Sequence, residues 1–199
     1  MRTIRIIEHV SLDGVIQAPG GPEEDQENGF DHGGWAFPHA SEEGGKAIAN
    51  AHGTGFDLLL GRKTYDIFAG YWPRQQGPMA DSLNGAKKFV ATHRPDSLGW
   101  WPVESLGTDI AAGIAGVKAA GGPDLIVWGS STLTPLLIAG GLADEVVLLV
   151  IPVMIGRGKR LFSDAVAPRQ LSLIDSQTTP TGVVISTYKP SGAMRTGSY

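Results

Sequence analysis

Short apolar runs that stop abruptly at glycine and hydroxyl residues, each followed by helical patterning, restrict this chain more than any other feature. Residues 56–60 and 124–128 are such runs, of strand length and apolar enough to be buried on both faces. The first closes on Gly61-Arg62-Lys63-Thr64 and the second on Gly129-Ser130-Ser131-Thr132. Further strands are predicted at 4–10, 88–92 and, short, 101–105, and the most apolar one, 145–153, is expected at the centre of the sheet. Helices are predicted from a Ser41 cap to about His52, after Thr64 to about Gly70, from a Thr108 or Asp109 cap to about Ala120, and from near Ser131 to about Ala139. Strands alternating with helices imply an α/β domain with a mostly parallel sheet covered on both faces. Residues 170–177 and 183–189 have no helix between them, so they should add an antiparallel pair and make the sheet mixed. One domain is expected over residues 1–190, with 191–199 a disordered tail.

Several classes are disfavoured. The net charge is −4 and no long basic run occurs, which argues against a nucleic-acid partner. With no cysteine there is no disulfide scaffold, thiolate nucleophile or cysteine-ligated metal, and a reducing cytoplasm suits the chain. The histidines at 9, 32, 39, 52 and 93 have no metal-ligand spacing, so no metal is expected. The longest apolar stretch, 146–155, is too short for a membrane span and contains Pro152. No signal peptide is read before the first strand. Neither a G-x-G-x-x-G fingerprint, a G-x-x-x-x-G-K-[ST] loop nor a G-x-S-x-G elbow is present.

Ligands of open α/β sheets bind beyond the carboxyl ends of the strands, so the residues just after each strand carry the argument. A helix N-terminus offers unpaired N–H groups to phosphate, and the glycine of each junction lets a ligand approach the backbone. Two such junctions in one sheet can hold the two ends of a dinucleotide; as plain capped turns they carry no ligand. Thr92-His93-Arg94 follows a third strand, and Arg62 with Arg94 can fork a 2′-phosphate, which selects NADP over NAD. The glycine-rich loop at 18–40 holds Phe30, Trp35 and Phe37 and is long enough to be a lid. Trp35 and Trp72 are either substrate walls or core anchors.

Four segments in order make a resemblance: Ser11-Leu12-Asp13-Gly14-Val15-Ile16, Leu60-Gly61-Arg62-Lys63-Thr64-Tyr65, Trp128-Gly129-Ser130-Ser131-Thr132-Leu133, and Ile151-Pro152-Val153-Met154-Ile155-Gly156-Arg157-Gly158 with Leu161-Phe162. They resemble the dihydrofolate reductase superfamily, and most the branch of the C-terminal reductase domain of the bacterial riboflavin-biosynthesis deaminase–reductase. The resemblance implies a dihydrofolate-reductase-like three-layer fold, NADPH as cofactor and a homodimer. It implies that Gly61, Arg62, Lys63 and Thr64 bind adenine-side phosphates. Thr92, His93 and Arg94 would then lie along the adenosine and 2′-phosphate, and Gly129, Ser130, Ser131, Thr132 and Leu133 would cradle the pyrophosphate. Gly14, Val15 and Ile16 would border the nicotinamide, with Asp13 as the acid beside the transfer. The implied activity is hydride transfer to a pterin- or pyrimidinone-like heterocycle or a carbonyl compound, including 5-amino-6-(5-phosphoribosylamino)uracil-type reduction. The alternative is a nucleotide-binding or regulatory module of the same fold without turnover. The acid that holds a pterin in true dihydrofolate reductases has no counterpart near Gly45, and a zinc deaminase domain is absent.

Overall fold

The computed structural model describes residues 1–162 and 168–198. Its eight strands form one sheet in the order β4-β3-β2-β5-β1-β6-β8-β7. β1 (Ile4–Ser11), β2 (Phe56–Gly61), β3 (Lys88–Ala91), β4 (Val103–Ser105), β5 (Asp124–Trp128) and β6 (Glu145–Ile151) run parallel. β7 (Arg169–Thr178) and β8 (Val184–Ala193) close the sheet antiparallel. The mixed, mostly parallel α/β sheet is therefore as expected.

Two details differ. The central positions belong to β5 and β1; β6 lies between β1 and β8, because apolar content reports burial of a strand and not its place in the order. β8 continues to Ala193, which pairs with Arg169, so the boundary drawn at residue 190 falls inside a strand.

Alternation along the strands splits the core. Ile4 and Ile6 of β1, Leu59 of β2 and Leu125 and Val127 of β5 pack against α4 (Ile110–Ala119) and α5 (Leu133–Ala139). Ile7, Leu58, Leu60 and Ile126 point the other way, onto α1 (Glu42–His52), α2 (Arg62–Tyr71) and α3 (Pro78–Gly85). This makes three layers. Ser41 caps α1, its Oγ accepting from the Gly44 N–H at 3.1 Å, and Asp109 caps α4 by accepting from Ala112 N–H at 3.0 Å. α3 was not anticipated; Pro78 at its first position, after Gly77, was the available signal. α5 begins at Leu133, two residues after the predicted start at Ser131.

The loop at 18–40 is compact. Its backbone folds back through Gly34 N–H to Ala18 O at 2.8 Å and Ala36 N–H to Pro19 O at 3.1 Å. A Cβ on Gly33 would stand 2.5 Å from the Gly21 carbonyl oxygen, so only glycine fits there.

Candidate active site

Because β2 and β5 are adjacent and parallel, their two strand-to-helix junctions abut. Ser130 Oγ accepts from Gly61 N–H at 2.8 Å and donates to Trp128 O at 3.0 Å. Thr64 Oγ1 accepts from Ser130 N–H at 3.0 Å. Ser130 adopts φ of 60°, and a Cβ on Gly129 (φ 53°) would stand 3.2 Å from Thr64 Oγ1. The hydroxyls and the glycine of these motifs thus serve first to lock one junction to the other.

The lock leaves donors over. Gly61 gives α2 no side-chain cap, and the first N–H groups of that helix meet no protein acceptor among the described residues. The backbone N–H groups of Ser131 and Thr132 meet no protein acceptor among the described residues. Both sets line a cavity of about 610 Å³ at the carboxyl ends of β1, β2 and β5. Such paired sets of backbone donors suit an anionic diphosphate.

The cavity continues over the α1–α3 face of the sheet. Ile48 of α1, Phe68 of α2, Met79 and Leu83 of α3, Trp72, and Leu149 and Ile151 of β6 line it. His9 and His52 do so as well, one on the face and one at the edge of Trp128: His9 stacks on the indole at 5.6 Å between ring centroids, and His52 Nε2 accepts from its Nε1–H at 2.9 Å. Burial pulls both imidazoles down to a pKa of about 4, so both are neutral at pH 7. Glu8, next along β1, is 2% exposed, and its Oε1 has no hydrogen-bond partner among the described residues. Burial raises its carboxyl well above the ordinary value, with Gly129 N–H only partly opposing.

The long loop supplies one wall through residues such as Ala18, Pro19, Ala36 and Phe37. Its acids join two cations of the cavity mouth. Lys63 Nζ lies 2.6 Å from both Asp25 and Glu27, and Lys159 Nζ lies 2.6 Å from Asp25 and 2.5 Å from Glu27. Burial works against ionising Asp25, but the bonds from Lys159 and Lys63 outweigh it and hold its carboxyl below the ordinary range.

The sequence-predicted residues divide. Gly61, Arg62, Lys63, Thr64, Gly129, Ser130, Ser131, Thr132, Ile16 and Trp72 line the cavity. Gly14, Val15 and Leu133 do not; Val15 and Leu133 are core residues at 0% and 2% exposure. Thr92, His93 and Arg94 lie outside it, around Arg62. Arg62 spends its guanidinium on Asp66 at 2.8 Å, Ser97 Oγ at 2.8 Å and Arg94 O at 3.0 Å. Arg94 is exposed, 3.9 Å from Asp66.

Two further residues, Asp13 and Trp35, fall outside the cavity lining. Asp13 is not at the cavity: its carboxylate accepts from Ser11 Oγ at 2.6 Å, Gly156 N–H at 2.7 Å and Ile155 N–H at 3.1 Å. The Ser11 hydroxyl first, then those two amides, drop its pKa to about 2, so it fastens the β1 turn to the segment after β6 as a fixed anion. Trp35 packs on the core with its Nε1–H on Gln17 O at 2.7 Å, and the loop aromatic at the cavity is Phe37. Sequence reading missed Glu8, His9, His52, Asp25, Glu27 and Lys159. Glu8 and His9 carried a signal, as two adjacent polar residues set between the apolar Ile6-Ile7 and Val10 of β1.

Comparison with known proteins follows the fold. The chain is similar to the uncharacterized protein YyaP of Bacillus subtilis, 27% identical over 140 residues that cover 68% of this chain and 74% of that protein. Among solved structures it resembles a putative riboflavin biosynthesis protein from Shewanella sp. PV-4, with TM-score 0.62 and 19% identity, over 95% of this chain and 99% of that one. It also resembles a diaminohydroxyphosphoribosylaminopyrimidine deaminase/5-amino-6-(5-phosphoribosylamino)uracil reductase from Thermotoga maritima, with TM-score 0.65 and 11% identity, over 96% of this chain and 57% of that one. A dihydrofolate reductase from Enterococcus faecalis complexed with NADP(H) matches at TM-score 0.59 and 14% identity, over 94% and 96%. The sequence matches the RibD C-terminal domain over residues 2–185, and the chain belongs to that family.

Proposed function

We propose that the protein is an NADPH-dependent reductase whose cofactor lies across the two locked junctions. The observation that carries this is the pair of unpartnered backbone donor sets, at the start of α2 and at Ser131–Thr132, facing one cavity. The residues present fit a dinucleotide: backbone N–H groups take the diphosphate, which needs no free cation. Arg94, exposed at the end of β3, takes the 2′-phosphate with Thr92 beside it, while Arg62 holds that loop in place. NADPH supplies, when bound, a hydride from its nicotinamide ring. The protein's part is to bind it, to turn the reacting face toward the apolar end and to exclude water there with the Phe37 loop.

Calorimetric titration tests the reading. NADPH should bind more than tenfold more tightly than NADH, about 1.4 kcal/mol, and Arg94→Ala should remove most of that margin. Equal affinities for the two cofactors would sink the 2′-phosphate assignment. NADPH that binds but is oxidised by no acceptor would mark a nucleotide-binding module instead.

A further inference from the structure

We propose that the far end of the cavity takes an uncharged, planar ring compound and rejects one carrying a phosphate, sulfonate or carboxylate. This rests on the reductase reading above and names the substrate class of that same site.

The argument is a census of charge. Three cationic side chains line the cavity, Arg62, Lys63 and Lys159. Each is already held by carboxylates: Arg62 by Asp66, and the two lysines by Asp25 and Glu27. No fourth lysine or arginine lines it among the described residues, and the sequence at 163–167 contains neither. All three lie at the junction and loop end. The opposite end is built from Ile48, Phe68, Trp72, Met79, Leu149 and Ile151. Three histidines line the cavity: His9 and His52 are held neutral by burial, with Arg5 adding to it at His52, and His39, on the loop wall, faces its Nδ1 to Thr181 O at 3.4 Å.

An anionic group brought here would lose its water and gain no counter-charge, and isolated charges are not tolerated in such surroundings. A flat, uncharged ring gains apolar burial and face contacts with Trp72 and Phe68. The phosphoribosyl substrate named for the Thermotoga protein belongs to the class this cavity excludes.

The test uses two hydride acceptors with one ring system, 1,4-naphthoquinone and 1,4-naphthoquinone-2-sulfonate, titrated calorimetrically into the full chain. The chain has no cysteine for a quinone to alkylate. The uncharged quinone should bind at least tenfold more tightly. Met79→Arg, which brings a guanidinium to the apolar end, should reverse the preference; Ile48→Lys, on the half-buried face of α1, is the second variant if the first does not fold. Sulfonate binding equal to that of the parent ring, or a preference that neither variant moves, overturns the inference. NADPH titration separates the two readings. If the uncharged ring alone binds and NADPH does not, the cofactor assignment fails and the charge argument stands. If NADPH binds and the sulfonate binds as well as the quinone, the reverse holds.

Discussion

Replacing Ser130 by alanine tests whether the two junctions are one mechanical unit. The hydroxyl carries two bonds, from Gly61 N–H at 2.8 Å and to Trp128 O at 3.0 Å. Gly61 is buried, so the substitution strands its N–H without water, a loss of about 1–3 kcal/mol. The backbone at Ser130 has φ of 60°, a conformation alanine tolerates no better than serine, so nothing offsets the loss. A ΔΔG of about 2 kcal/mol lowers the melting temperature of a domain of this size by about 4–8 °C. Ser130→Gly loses the same bonds but relieves the left-handed backbone, and should recover about 1 kcal/mol. Urea unfolding gives the stabilities, and NADPH calorimetry should show that binding weakens in both variants, since Ser131 and Thr132 lose their anchor. A Ser130→Ala protein within about 0.5 kcal/mol of the parent would refute the lock, that being the scatter of surface changes. A Thr64→Val and Ser130→Ala double-mutant cycle without coupling would refute it independently.

Three other outcomes follow from the same geometry. His9 and His52 have pKa values of about 4 when folded, below the unfolded value, so the unfolded chain binds more protons between about pH 4 and 6.5. Stability should therefore fall as pH drops through that window, with His52 contributing at most about 3 kcal/mol and His52→Gln flattening the slope; Glu8, raised by burial, acts oppositely and loses stability as pH climbs past its unfolded value. Asp13→Asn should lower the urea midpoint while leaving the rate per folded molecule unchanged, and a fall of about a hundredfold in rate at unchanged stability would return Asp13 to the chemistry. The edge strand β7 exposes Leu173 and Ile174 at 57% and 55% and is expected to pair with a second copy; a sedimentation mass that stays at 20.9 kDa at micromolar concentration would refute the dimer.

The fold was largely legible because its signals are local. Asp124–Trp128 is a run of buried apolar residues ended by glycine, and its predicted limits are those of β5. Ser41 and Asp109 announce α1 and α4 through caps satisfied three residues later. Strand order is another matter. β5 inserts between β2 and β1 by contacts more than sixty residues apart, and nothing in the composition of β6 says that β8 will cover its far side. α3 was missed for a related reason: its eight residues, with Asp81, Asn84 and Gly85, hold too little periodicity to stand out, and Ala80 and Leu83 are buried by partners elsewhere in the chain.

The site divides along the same line. Residues after a strand could be named from the sequence, because position in an α/β unit fixes which end of the sheet they reach. What those residues do there could not, because that depends on who meets them. Arg62 and Lys63 read as phosphate ligands until Asp66, Asp25 and Glu27 are brought against them; Lys63 finds its acids across nearly forty positions, and Lys159 finds the same two across more than one hundred and thirty. Once paired, these cations set the shape of the cavity mouth and no longer its charge. The free donors are backbone N–H groups, which every sequence possesses and only a fold can leave unpaired. On the proposed function such a site shows in the sequence as glycine and hydroxyl residues alone, while the cations beside them draw attention to side chains that the fold pairs with acids and away from the main chain that remains available to bind.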